Sequence, residues 1–196
     1  MTPTLRWRIL VLQIGLTAVL AFCAGFLFWG ANYTHSNVRD QLVAQKIAFP
    51  PAVAFSPKEY PASALATLRG YAGQPVDNGP KAKAYADDFI AVHLNAVANG
   101  RTYSEVSAAY LKNPKNVQLQ VERTTLFMGT MLRASLLQAY GWWQVGDYAF
   151  YAAIGLTIAA LLVFLAFLFE LLVAPRREEA RAGTREQRRG AALPSA

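Results

Sequence analysis

Two long apolar runs, separated by a long segment of mixed composition, dominate the hydrophobic pattern of this chain. The first run, residues 9–31, reads ILVLQIGLTAVLAFCAGFLFWGA and has Gln13 as its only strongly polar side chain. The second, residues 148–173, includes the uncharged stretch AFYAAIGLTIAALLVFLAFLF. An α-helix needs about 20 largely apolar residues to cross a hydrocarbon core of about 30 Å. The pattern therefore predicts two transmembrane helices.

The first apolar run differs from a cleavable signal peptide. A cleaved signal has an apolar core of about 7–15 residues, followed by small residues at the cleavage site. Here the core is longer and ends in the bulky sequence FLFWG. We therefore expect residues 9–31 to be retained as a signal anchor.

A third apolar stretch, residues 124–146, has Arg133 near its middle. As a span it would place Arg133 inside the bilayer, which costs about 2.5–3.5 kcal/mol on insertion scales. It would also put the two ends of the chain on opposite sides and translocate the arginine-rich tail, against the positive-inside rule. We therefore predict a water-side helix that leads to the membrane and docks there through Trp142 and Trp143.

Helical spacing gives this third stretch an amphipathic character, with an apolar face and an opposite arc of mixed composition. The predicted apolar face consists of Val117, Val121, Met128, Leu132, Leu136, Ala139 and Trp143, and the opposite arc holds Glu122, Gly129, Thr130 and Arg133. Gly141 and Gly146 are expected to loosen the junction with the second span. A partly buried Arg133 needs a carboxylate or carbonyl partner, in this chain or in another protein.

The net charge of +7 is concentrated at the two ends of the sequence. Arg6 and Arg8 precede the first run, and six arginines lie in residues 174–196. The positive-inside rule then predicts that residues 1–8 and 174–196 are cytoplasmic and that residues 32–147 are extracytoplasmic. We expect the tail to be a disordered basic segment that contacts membrane lipids. Its arginines have no interleaved aromatic residues, so nucleic acid is not an expected partner.

Prolines divide the segment between the spans. The first membrane helix should continue outward until Pro50 and Pro51 stop it. Residues 50–80 contain six prolines and are expected to form a loop, whose order the pattern leaves open. Within that loop, ASALATLRGY predicts a short helix with Pro61 at or just before its start.

The remainder of residues 32–147 shows helix signals and no alternation with period two. KAKAYADDFIAVHLNAVANG predicts a helix that ends at Asn99 and Gly100. Thr102 and Glu105 form a capping box for the next helix, which ends before Pro114. The predicted fold class is an all-α membrane protein, in which two transmembrane helices flank an extracytoplasmic domain of three or four helices.

Asp87, Asp88 and His93 form the only cluster that suggests a metal or acid–base site. Ligands on one helix face need spacings of three or four, whereas the aspartates precede His93 by six and five positions. They are weak polar-site candidates, and we expect His93 to be a hydrogen-bonded core residue. Cys23 is the single cysteine and excludes intrachain disulfides. No catalytic residue, metal or cofactor is predicted.

Small residues recur at intervals of four in both spans, as helices need for close approach in lipid. They are Thr17, Ala21 and Gly25 in the first span, and Gly155 and Ala159 in the second. These faces would pack on each other or on the helices of another protein, and the sequence does not distinguish between the two.

The blocks GRTYSEVSAAYLKNPKN and TLFMGTMLRASLLQAYGWWQVG carry a resemblance to known sequences. They are similar to the TYxEVS and TLFxGxxLRxxLLxAYxxW segments of a group of actinobacterial two-span membrane proteins that have no established activity. The resemblance extends over about residues 80–160. It implies a bacterial plasma membrane and carries over no catalytic residue.

Together these features favour a non-enzymatic accessory or scaffold subunit of a larger membrane or cell-envelope complex. Its partner would be an integral membrane protein or further copies of the same chain. Arg133, Trp142, Trp143 and the small-residue faces are the candidate contact residues. The alternative is an extracytoplasmic ligand-sensing domain that signals through a partner. An enzyme that depends on Asp87, Asp88 and His93 ranks behind both.

Overall fold

The structure is a computed structural model that describes residues 3–172 of the chain. Within this range the chain is helical, with one isolated antiparallel bridge between Ala48 and Pro75 and no strand. The predicted all-helical fold is confirmed. The predicted tail, residues 174–196, lies outside the described range.

Two helices, α1 (Pro3–Ala44) and α6 (Val117–Leu172), are much longer than the others. Both are long and apolar enough to cross a membrane, with mean hydropathies of 2.3 and 2.7 in their most apolar windows. The prediction of two potential spans is confirmed. The chain divides into an apolar unit, residues 3–29 and 149–172, and a helical domain, residues 30–148.

In the apolar unit, small side chains lie where α1 and α6 pack together. Ala24, Ala153 and Ala160 are buried, which lets the two backbones approach closely. Phe28 packs edge-on against Phe150, with ring centroids 5.6 Å apart. Arg6 Nη2 donates a hydrogen bond to the backbone carbonyl of Glu170 at 2.8 Å. The two potential spans therefore form a helical hairpin with its own contacts.

The helical domain contains four short helices between the outer part of α1 and α6. They are α2 (Ala62–Tyr71), α3 (Gly79–Ala84), α4 (Ala91–Val97) and α5 (Tyr103–Lys112). A π-helical segment, Tyr85–Ile90, joins α3 directly to α4, and a single 3₁₀ turn covers Ala52–Ala54. The capping box of Thr102 and Glu105 at the start of α5 is confirmed, because both of its hydrogen bonds are present.

The proline-rich segment 50–80 contributes much of the core of the helical domain. Pro61 directly precedes α2, as the sequence predicts. The segment buries large side chains against α1, the π-helical segment and α6. They are Phe55, Tyr60, Leu65, Leu68 and Val76. The loop whose order the pattern left open is thus an ordered part of the hydrophobic core.

Helix α1 ends at Ala44 and not at Pro50, so the predicted end of this helix is wrong. Lys46 adopts a left-handed backbone conformation with φ of 54°, which turns the chain out of the helix. Phe49 N then donates to Gln74 O at 2.9 Å, and Val76 N donates to Ile47 O at 2.9 Å. Pairing with the segment after α2 therefore ends the helix before the prolines can.

The predicted orientation of α6 within the helical domain is right in its second half and wrong in its first. Leu136 of the predicted apolar face is buried, and Ala139 and Trp143 pack against the same core cluster. Val117, Val121, Met128 and Leu132 are exposed, whereas Glu122 and Leu126 from the other side are buried. Two features favour this rotation. Gly129 leaves room for Leu94, because an added Cβ atom would clash with the Leu94 side chain. Both charged residues of the buried side, Glu122 and Arg133, also find partners in the domain.

Helix α6 has no break between Val117 and Leu172. The helix is continuous through Gly141 and Gly146, so the expected loosening at these glycines is wrong. Gly146 is instead a packing position, because an added Cβ atom would lie 2.6 Å from the His35 ring. The backbone hydrogen bonds of a helix persist through a glycine when neighbouring contacts hold it in place.

Candidate functional site

Arg133 lies on the inner side of α6 and is held by the π-helical segment. Its Nε donates a hydrogen bond to the backbone carbonyl of Ala86 at 3.0 Å. Its Nη2 donates to Asp87 Oδ1, also at 3.0 Å. The carboxylate and carbonyl partners that Arg133 needs are therefore both supplied within this chain. Because they come from adjacent residues, they orient the planar guanidinium group.

Asp87 connects Arg133 to a second cation, Lys83, which lies one helical turn earlier and pairs with Asp87 Oδ2. Partial burial by itself would raise the pKa of the Asp87 carboxyl. The hydrogen bonds and charges of Lys83 and Arg133 outweigh that effect, so the pKa lies below its usual value. Asp87 is thus a charged structural link between the π-helical segment and α6.

Asp88 has a different environment from its neighbour. Burial, together with the negative charge of Asp87, raises the pKa of the Asp88 carboxyl above its usual value, and the opposing charge of Lys83 is the smaller effect. Asp87 and Asp88 line a shallow groove with Lys83 and with Tyr140 of α6. The groove combines a carboxylate, an ammonium group and aromatic side chains.

His93 does not join the two aspartates. Its Nδ1 lies 3.1 Å from the carbonyl oxygen of Phe89 and 3.3 Å from the hydroxyl oxygen of Tyr60. The ring packs on Phe89, with centroids 4.6 Å apart. The residue is nevertheless exposed, so the expectation of a core histidine is wrong. Among the described residues, these three side chains form no metal-binding group.

A cluster that sequence reasoning missed joins α1 to α6 through His35. The His35 ring stacks on Trp143, with centroids 4.2 Å apart and planes 20° apart. Its Nε2 lies 3.1 Å from Asp147 Oδ1 and 3.2 Å from the backbone oxygen of Trp143. The available signal was position, since His35 and Asp147 each lie next to the domain-side end of a predicted span. Because α1 and α6 run antiparallel, residues next to corresponding ends of the two apolar runs come together.

The two candidate tryptophans have different surroundings. Trp143 is half-buried between His35 and Gly79, where an added Cβ atom would clash with the Trp143 side chain. Trp142 is 56% exposed and lines a groove of about 500 Å³ between α1 and α6. Trp143 therefore packs inside the helical domain, whereas Trp142 is available for an external contact.

The small-residue candidates in the apolar unit are less closely packed than their spacing suggests. Thr17, Ala21 and Gly25 line a shallow groove of about 350 Å³ next to α6. Nothing lies within 4 Å of an added Cβ atom at Gly25 or Gly155. Ala159 is half-buried. The close contacts of this unit are instead made by the buried alanines described above.

Within the helical domain, α6 exposes a broad apolar surface on the side opposite Arg133. We call it the outer face of α6 and define it by the exposed residues Val117, Val121, Phe127, Met128, Met131, Leu132, Trp142 and Val145. Soluble surfaces rarely expose so continuous an apolar area unless it contacts another molecule. This face is the strongest candidate for a functional surface in the helical domain.

Comparison with models of protein families, with curated proteins and with solved structures finds no match to this chain.

Proposed function

We propose that this chain is a non-enzymatic, two-span protein of a bacterial plasma membrane that serves as an accessory or scaffold subunit of a membrane or cell-envelope complex. The outer face of α6 is the observation that supports this proposal. It exposes large apolar side chains between Val117 and Val145, on a helix that continues into a potential span. A subunit that works by contact needs such a surface, whereas a catalyst needs a set of converging reactive groups.

The proposed topology puts residues 32–147 outside the cytoplasm and both ends of the chain inside it. The distribution of arginines supports this orientation, since Arg6 and Arg8 precede the first span and the tail carries six more. The carboxylates of Asp87, Glu122 and Asp147 all pair with groups of the helical domain, as charges at an aqueous, folded site do.

Labelling of single cysteines in intact cells tests the topology. In a Cys23→Ser background, we expect Ser36→Cys to react with a membrane-impermeant maleimide and Thr4→Cys to react only after the membrane is permeabilised. Both positions are exposed in the structure, so access to each depends on its side of the membrane. Reaction of Thr4→Cys in intact cells would overturn the proposed orientation.

The subunit role is tested by extraction of the tagged full chain in mild detergent, followed by native-size separation and mass spectrometry. We expect an assembly larger than one copy with defined stoichiometry. Its recovery should be lost in Met128→Lys, which places a charge on the outer face, and retained in Thr130→Lys, which lies outside that face. A single copy without a companion in several detergents would contradict the proposal.

The groove beside Asp88 favours a second candidate function, the sensing of an extracytoplasmic ligand. It has a volume of about 310 Å³ and is lined by Lys83, Asp87, Asp88, Tyr71 and Tyr140. Groups of both charges next to aromatic rings suit a small zwitterion. A panel of amino acids should then include one that raises the thermal stability of the wild type but not of Asp88→Asn. A panel without such a compound would count against sensing.

A further inference from the structure

We propose that the outer face of α6 pairs with the same face of a second copy of this chain, as a parallel two-helix coiled coil outside the membrane. This inference rests on the proposed function, because it takes both copies to be anchored in one membrane. It goes further in naming the partner, the register and the residues of the contact.

Spacing is the first observation. Along the outer face, a series with alternate steps of four and three contains only exposed residues over about four heptads. The series, called here the seam, is Val117, Val121, Thr124, Met128, Met131, Ser135, Gln138, Trp142 and Val145. A heptad series sustained over three to four repeats is typical of a coiled coil. In a straight α-helix, residues at this spacing shift slowly around the helix axis, and a left-handed supercoil compensates for that shift.

The inner side of α6 is the second observation. Leu126 and Leu136 of that side are buried in the helical domain, and Glu122 and Arg133 make their ion pairs there. The seam lies on the opposite side of the same helix. A helix that is apolar on both sides is stable in water only when both sides are covered. The domain itself covers one side, so the seam requires a partner.

Charge distribution indicates that the partner is a second copy. Residues that flank the seam are all uncharged: Gln118, Gln120, Thr125, Phe127, Leu132, Ala134, Ala139 and Gly141. In coiled coils these flanking positions often carry charges that set the choice of partner. Here the flanks carry no charge pattern that would select a different chain, and two copies can meet through them without repulsion between like charges. The four charged residues of this part of α6 all pair within the domain.

Three of these residues form ion pairs: Glu122 pairs with Arg101, Arg133 with Asp87, and Asp147 with His35. The fourth is Arg123, whose guanidinium lies 4.2 Å from the centroid of the Tyr110 ring. They lie away from the seam and its flanks. The outer face is therefore neutral, and two copies of it can meet without repulsion between like charges.

Continuity of α6 determines the direction of pairing. The helix runs without a break from Val117 into its potential span, so two copies inserted in the same orientation must lie parallel. Identical residues then face each other. Thr124, Ser135 and Gln138 would form like pairs in which hydroxyl and amide groups both donate and accept hydrogen bonds. Polar pairs at seam positions define register in parallel coiled coils.

The groove between α1 and α6 borders the second half of the seam. Its α6 wall includes Ser135, Gln138 and Trp142, and its α1 wall includes Asn37 and Gln41. With a volume of about 500 Å³ it can receive side chains from the partner helix, and its amide groups match the polar half of the seam. In the first half of the seam, the methionines and valines add apolar contacts on either side of the Thr124 pair.

Cysteine crosslinking of the full chain in native membranes tests this pairing. In the Cys23→Ser background, we expect Thr124→Cys, Met131→Cys and Gln138→Cys to give disulfide-linked dimers under mild oxidation. These positions lie at the closest approach of parallel helices, where Cα atoms are within the range of a disulfide. Thr130→Cys is the matched control, since it is exposed on the same helix but lies outside the seam, and it should give several-fold less dimer.

A second variant tests the chemistry of the contact. Met128→Lys places like charges opposite each other and should abolish the disulfide formed by Gln138→Cys, whereas Thr130→Lys should leave it intact. All these side chains are exposed, so folding of the helical domain does not depend on them. Absence of dimer at every seam position, or equal dimer at Thr130→Cys, would overturn the proposed pairing.

The same experiments distinguish failure of the proposed pairing from failure of the proposed subunit role. If seam cysteines fail to crosslink while the wild type still copurifies with a different protein in a defined ratio, the subunit role stands and the second copy is excluded. If neither a dimer nor a companion is found, both proposals fail.

Discussion

Glu122 offers the sharpest test of how α6 holds the helical domain together. The residue is buried, with 7% of its surface exposed. Its Oε2 accepts a hydrogen bond from Arg101 Nη2 at 2.6 Å, and its Oε1 accepts one from Gln118 Nε2 at 3.1 Å. Arg101 lies in the turn before α5. The substitution Glu122→Ala therefore removes the polar contact that joins this turn to α6.

The size of the effect follows from the exposure of the two partners. A hydrogen bond to a charged group contributes about 1.5–3 kcal/mol net. The Arg101 side chain is 39% exposed, so water replaces part of the lost interaction and the lower half of that range applies. We expect the docking of α5 on α6 to weaken by about 2 kcal/mol. Since about 1.36 kcal/mol corresponds to a factor of ten, α5 should open about 30-fold more often.

Hydrogen exchange read by mass spectrometry on the full chain in detergent measures this local opening. Amides of α5 (Tyr103–Lys112) should exchange about 30-fold faster in Glu122→Ala. Helix α2 is the internal control, because Leu65 and Leu68 belong to a different hydrophobic cluster and should keep their protection. Glu122→Gln, which keeps an acceptor of similar shape, should have an intermediate effect.

Unchanged exchange of α5 in Glu122→Ala would refute this reasoning. It would mean that the small cluster of Ala98, Val106 and Leu126 holds α5 by apolar contact alone. Equal acceleration in α2 and α5 would also refute it, because the effect would then be a global loss of stability and not a local one.

Three further predictions follow from single contacts. Gly146→Ala should destabilise the domain by about 1–3 kcal/mol, because the new methyl group overlaps the His35 ring. Gly141→Ala should be neutral or stabilising by up to about 1 kcal/mol, because no atom lies within 4 Å of the new methyl group. Thermal unfolding of the two variants measures the difference. Arg133→Lys keeps the charge but loses the planar double contact, so amides of Tyr85–Ile90 should exchange faster. The ionised Asp87 carboxylate should stabilise the fold at pH values above its ordinary pKa of 3.8. This stabilisation should be lost as the pH falls through the lower pKa that the carboxyl has in the folded protein. Thermal unfolding of the wild type and of Asp87→Asn from pH 7 to 3 measures the loss.

Each of these has an outcome that would contradict it. Equal stability of Gly146→Ala and Gly141→Ala would mean that His35 is not packed against α6. Unchanged exchange in Arg133→Lys would mean that charge alone holds the π-helical segment. Stability of wild type and Asp87→Asn that falls in parallel with pH would show that Asp87 is not paired in the folded state.

The two-sided character of α6 underlies the proposals made for this protein. Its inner side carries charges that are neutralised within the domain, and its outer side carries only neutral groups. This separation leaves an exposed surface on the outer side that is largely apolar and carries no charge. It also explains why Arg133, the conspicuous charge of an apolar stretch, is an internal contact and not a contact to another protein.

Local signals in the sequence were sufficient for the helices and most of their ends. The two apolar runs are long enough to predict potential spans without any tertiary information, because crossing a membrane depends on length and polarity alone. The capping box at Thr102 and the start of α2 after Pro61 were also predictable, because a cap satisfies backbone groups through residues three positions away. Each of these features is decided within a few residues of itself.

Only the tertiary structure decided which side of residues 117–132 of α6 faces the domain, where α1 ends and which contacts His35 makes. Periodicity shows that α6 has apolar positions, but it cannot choose between two apolar sides. That choice depends on Gly129 meeting Leu94 and on Arg133 reaching Asp87, both distant in sequence. Likewise α1 ends at Ala44 because Ile47 and Phe49 pair with residues after α2. Contacts between distant segments have no local signal, and here they outweighed the local one.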